Sequence, residues 1–74
     1  MRDNELLELL ETCIDAARDA RLRYLRAEVL ATTNELKRMF RLLAAEQAKH
    51  ERMIREAHRF VRRDHGHRIL REER

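Results

Sequence analysis

The sequence predicts an all-α protein in which two long helices fold into an antiparallel hairpin with a short C-terminal helical tail. Three observations carry that expectation. The 74 residues contain no proline and a single glycine, Gly66, so no helix breaker stands in the first 65 positions. Apolar residues recur at steps of three and four along two separate stretches, which is the period of one helix face. Between them the pattern breaks at Thr32-Thr33-Asn34-Glu35. A threonine with a glutamate three residues on reads there as a capping box, opening a new helix.

In the first helix, Asp3 or Asn4 is placed to cap the N-terminus, and Glu5 and Glu8 suit its positive end. The expected seam runs through Leu6, Leu10, Cys13, Ala17, Ala20, Tyr24, Ala27 and Ala31, widened by Leu7, Leu9, Ile14 and Ala16. A two-stranded coiled coil needs only a narrow stripe, so this breadth points to more than one neighbour. The second helix is expected from about Glu35 to about Arg63. Its seam runs through Leu36, Phe40, Leu43, Gln47, His50, Ile54, Ala57 and Val61. Folding back with Ala17 opposite Gln47 also opposes Leu10 to Ile54, Ala20 to Leu43 and Tyr24 to Phe40, and brings Cys13 near His50. The lack of Gly and Pro at the turn leaves one continuous helix as the alternative. Met39, Met53 and Phe60 widen the second face, enough for two hairpins to pair into a four-helix bundle.

Gly66 is expected to end or bend the second helix, which divides the chain into a hairpin over 1–65 and a basic tail over 66–74. Ile69 and Leu70 are the tail's apolar anchors. Net charge is +3, with charged residues forming 42% of the chain and acids concentrated at the start against arginines at the end. An antiparallel hairpin sets these side by side, so internal complementarity is expected and a nucleic-acid partner is not. One cysteine allows no internal disulfide and fits a reducing, cytoplasmic setting. No apolar run approaches the roughly 20 residues that span a bilayer, so no membrane partner is expected. Met1-Arg2-Asp3-Asn4-Glu5 is too polar and acidic for a signal peptide.

Glu46-Gln47-Ala48-Lys49-His50 is the most informative stretch. It sets a glutamine and a histidine where packing favours leucine, with Glu46 on the flank. A carboxylate and an imidazole three apart share one helix face and bind metal together inside helical bundles. The run from Asn34 to His50, and Ala17-Arg18-Asp19-Ala20-Arg21-Leu22-Arg23-Tyr24 in the first helix, resemble the ferritin-like superfamily, specifically its short rubrerythrin-type or encapsulated-ferritin hairpins. The resemblance spans about Leu6 to Arg59. It implies a hairpin that dimerises into a ferritin-like four-helix bundle, with iron handling, and with a place inside a protein compartment beside a shell protein. Two expected carboxylate ligands are replaced, by Ala17 and by Gln47, and only His50 stands where the family has its ligand. The resemblance therefore implies an altered or inactive ferroxidase centre.

Candidate metal residues are His50, Glu46, Gln47 and Cys13, for iron or else zinc or manganese. The alternative is a metal-free module for assembly or partner binding, with His50 hydrogen-bonded to Gln47, Tyr24 or the backbone. His65-Gly66-His67 is either a surface metal site or a solvated tail, and Met39 and Met53 are core filler. Under both readings a homo-oligomer of even number is expected.

Overall fold

The computed structural model describes the backbone of residues 2–72 and the side chains of residues 2–66. Helix α1 spans Arg2–Leu30 and helix α2 spans Asn34–Glu72, joined by residues 31–33 and packed antiparallel. The molecule is a rod of 63 × 15 × 12 Å. No strand occurs among the described residues. With 29 residues in α1 and 39 in α2, the second helix outruns the first.

The connection is built by local hydrogen bonds. The Ala31 amide donates to the Ala27 carbonyl at 2.9 Å and closes the end of α1. Thr33 then caps α2: its hydroxyl oxygen accepts from the Leu36 amide at 3.1 Å. The cap thus falls on Thr33 rather than Thr32. Leu36 occupies the third helical position, so the reciprocal half of a capping box, a Glu or Gln side chain there, is missing. Asp3 and Asn4 lie inside the first turn of α1 instead of capping it, because the helix already starts at Arg2. Asp3 and Glu5 still favour that end, where the unpaired amides carry partial positive charge.

Gly66 does not end α2. The helix runs through it to Glu72, and no described residue, Gly66 included, has positive φ. The expected division between hairpin and tail therefore falls inside one helix. A mid-helix glycine lowers stability by about 1 kcal/mol but does not by itself stop propagation. The side chains of Ile69 and Leu70 and the last two residues lie outside the described set.

The packing seam follows a strict three-four alternation on both helices. In α1 it is Asp3, Leu7, Leu10, Ile14, Ala17, Arg21, Tyr24 and Glu28, continued by Ala31 just past the helix end, all buried or half-buried. In α2 it is Lys37, Phe40, Ala44, Gln47, Glu51, Ile54, His58, Val61 and His65, again all buried or half-buried. Such a seam is that of an antiparallel two-stranded coiled coil. Every second expected position is right (Leu10, Ala17, Tyr24, Ala31, Phe40, Gln47, Ile54, Val61). The positions between them are shifted by one residue: Ile14 takes the place of Cys13, Ala44 that of Leu43, Glu51 that of His50.

Candidate functional site

The one-residue shift puts charge into the seam and leaves apolar side chains outside it. Arg21, Glu28, Glu51, His58 and His65 occupy seam positions with their heads paired across or along the helices. Arg21 Nη2 lies 3.5 Å from Glu51 Oε1, and Arg55 Nε donates to Glu51 Oε2 at 3.0 Å. Arg41 donates through Nε and Nη2 to Glu28 Oε2 at 3.0 and 2.9 Å. The His58 Nε2 and Glu11 Oε1 atoms are 3.2 Å apart, and His65 Nδ1 and Asp3 Oδ2 are 3.1 Å apart, each carboxylate accepting from the ring. Among the described residues only Ile14, Ala17 and Ala44 are buried outright, and no side chain is fully enclosed.

These pairs fix the two lateral sides of the hairpin. Glu11, Arg41 and Arg55 each follow a seam position by one residue, so that side is polar. A groove there is lined by Glu11 and Asp15 from α1 with Arg55, Arg59 and Arg62 from α2. The acidic start lies beside the described part of the basic end, where His58 and His65 pair with Glu11 and Asp3.

The opposite side is apolar. The residues one position before Leu7, Ile14, Arg21 and Glu28 on α1, and before Lys37, Ala44, Glu51 and His58 on α2, form its inner edge: Leu6, Cys13, Ala20 and Ala27, with Leu36, Leu43, His50 and Ala57. Leu9, Ala16 and Leu30 on α1, and Met39, Met53 and Phe60 on α2, extend it outward by helical geometry. Of the twelve exposed large apolar side chains among the described residues, eight lie on this one face: Leu6, Leu9, Leu30, Leu36, Met39, Leu43, Met53 and Phe60. Met53 is 67% exposed and Phe60 70%, so Met53, and likewise Met39, is not core filler within the hairpin.

The expected metal residues are dispersed relative to the seam. Gln47 is half-buried against α1, Cys13 is half-buried at the edge of the apolar face, and Glu46 and His50 are exposed on that face. His50 makes no hydrogen bond to Gln47 or Tyr24, nor does any such bond join Cys13 to His50, among the described residues. Ala17 is buried in the seam. Among the described residues no group of three or more His, Cys, Asp or Glu side chains is gathered to hold a metal ion. His67 lies outside the described side chains, so the His65-Gly66-His67 pair is not placed. No described helix is long and apolar enough to cross a membrane.

The fold and this face define a two-helix antiparallel coiled-coil hairpin with one unpartnered apolar side. Compared with known proteins, the chain matches no family model, no curated protein and no solved structure.

Proposed function

We propose that the chain is an assembly module, whose apolar face docks on the same face of a second copy to complete a four-helix bundle. The observation that carries this reading is the split of residue types. The hairpin seats arginine, glutamate and histidine in its own seam and leaves Leu6, Leu9, Leu36, Leu43, Met53 and Phe60 at the surface. A sequence selected to be a lone hairpin would place those groups the other way round. Eight large side chains, each exposing on the order of 80 Å² of apolar surface, amount to about 650 Å² per chain. Two copies would cover about 1,300 Å², within the range of stable specific interfaces. The hairpin's own small core makes the same point, since chains of this length rarely bury enough surface alone.

Iron handling by an altered centre rests on the resemblance from about Leu6 to Arg59, strongest over Asn34–His50, and the assembly reading needs no metal. The test is mass in solution by light scattering across 1–200 µM, together with metal analysis of the purified protein. A dimer or larger even-numbered oligomer is expected, lost in Met53→Arg. A fully helical monomer at the highest concentration would refute the reading. Metal retained at one or more ions per dimer, and released in His50→Leu, would favour iron handling.

A further inference from the structure

The apolar row of α2 reads nearly the same in both directions. Its members are Leu36, Met39, Leu43, Glu46, His50, Met53, Ala57 and Phe60, with alternating steps of three and four. Laid against a reversed copy of itself, Leu36 meets Phe60, Met39 meets Ala57, and Leu43 meets Met53. Glu46 meets His50 twice, once on each side of the centre. The row of α1 has the same property, Leu6 falling against Leu30 and Ala16 against Ala20. A two-fold interface demands this relation, in which residue i touches j and j touches i.

We propose that two hairpins join face to face in opposite directions, α2 on α2 and α1 on α1, with Glu46 of each chain paired to His50 of the other at the two-fold axis. The inference rests on the assembly reading above and adds the orientation to it. Both residues are exposed in the hairpin, and neither has a hydrogen bond or ion pair there. They are also the two polar members of an otherwise apolar row. Covering that row buries them, and a buried polar group without a partner is costly.

The other face-to-face arrangement runs the hairpins in the same direction and sets α2 of one chain on α1 of the other. Glu46 would then lie level with Arg23 of the other chain's α1, but His50 would face Ala16 and Ala20 and find no acceptor. Only the reversed copy supplies each with the other. The pair is then a registry device, like a polar residue that fixes direction in a coiled coil. Arg23, the one charge in the α1 row, is exposed and reaches solvent on its long stem.

Two measurements on the full chain test the orientation. First, Thr32→Cys in a Cys13→Ala background carries a spin label at the connection. Opposed hairpins place the two labels about 45 Å apart, from a 1.5 Å rise per residue, whereas hairpins in the same direction place them within about 25 Å. Second, His50→Glu and Glu46→Lys chains are mixed. In His50→Glu alone the introduced glutamate meets Glu46 of the other copy, and in Glu46→Lys alone the introduced lysine meets His50 with no acceptor between them; the mixture restores one Glu46–His50 contact and adds one lysine–glutamate pair, so the mixed dimer should exceed either self-dimer at least about tenfold in native mass spectrometry. Both positions are exposed in the hairpin, so neither substitution threatens its fold. A dimer with the short label distance, or mixing with no preference, overturns the orientation and leaves assembly standing. A monomer under all conditions overturns both.

Discussion

Ile14→Ala is the most direct probe of which rows hold the hairpin together. Ile14 is the one large side chain among the three buried residues, at 8% exposure, while its neighbour Cys13 is half-buried at the seam's edge. The substitution removes three carbons, each worth about 0.8 kcal/mol when taken from water, or about 2.4 kcal/mol in all. A cavity term is added in closed cores, but a two-helix seam is open on both sides and its neighbours can collapse inward. The expected loss is therefore about 2–3 kcal/mol, at the low end for such truncations. Leu30→Ala is the control: at 68% exposure it should cost only about 0.5 kcal/mol in a single chain. Urea titrations followed by helical ellipticity, at a concentration where the chain is monomeric, supply both numbers. If Ile14→Ala already unfolds the chain, titration with a stabilising osmolyte restores a measurable transition. Equal costs for the two substitutions, or an Ile14→Ala loss under about 0.5 kcal/mol, would mean the helices face each other through the Leu6–Cys13–Ala20 row instead.

Three further outcomes are expected. Thr33→Ala removes the acceptor of the Leu36 amide and should lower stability by about 1 kcal/mol, with Thr33→Ser recovering most of it in the same urea titration. Gly66→Ala should raise stability by about 0.5–1 kcal/mol, because an added Cβ meets nothing within 4 Å and the backbone there is already helical. A melting temperature unchanged or lowered in Gly66→Ala would contradict a continuous α2. Glu51→Leu alone leaves Arg21 and Arg55 without their carboxylate and should cost about 1 kcal/mol, while adding Arg21→Leu should recover it or more. A double-mutant cycle without coupling would show that the Arg21–Glu51 contact contributes nothing.

How much of this was legible in the chain depends on which residues are asked. The two helices and the turn were, because the lack of Pro and the three-four repeats leave few alternatives. The rotation of each helix about its axis was not. Both the Cys13–Ala20 row and the Ile14–Arg21 row border the same line of good positions, and counting apolar groups favours the first. The structure takes the second, since Arg21, Glu51, His58 and His65 bury their stems against the seam while their heads find partners across it or along the helix. The partners across the seam, Glu11 and Asp3 among them, lie on the other helix and far away in sequence, and periodicity carries no information about them. Gly66 misled for a related reason: a glycine signals a helix end only where a left-handed residue follows the last turn, and here the backbone stays right-handed. Glu46 and His50 stood out as polar members of an apolar row. Their meaning changes once that row is seen to face away from α1.

The short connection has a topological consequence. Asp3 with His65, Glu11 with His58, Arg21 with Glu51 and Glu28 with Arg41 all join α1 to α2, and none depends on the two helices belonging to one chain. If residues 31–33 straightened into helix, two chains could exchange their first helices and keep every one of these pairs. Nothing in the connection forbids that sterically, since it contains no glycine and no residue of positive φ. What holds α1 to its own α2 is the Thr33 cap and the proximity that a short connection supplies, equivalent to a local concentration of about millimolar. The same set of contacts therefore encodes two connectivities, and three residues choose between them.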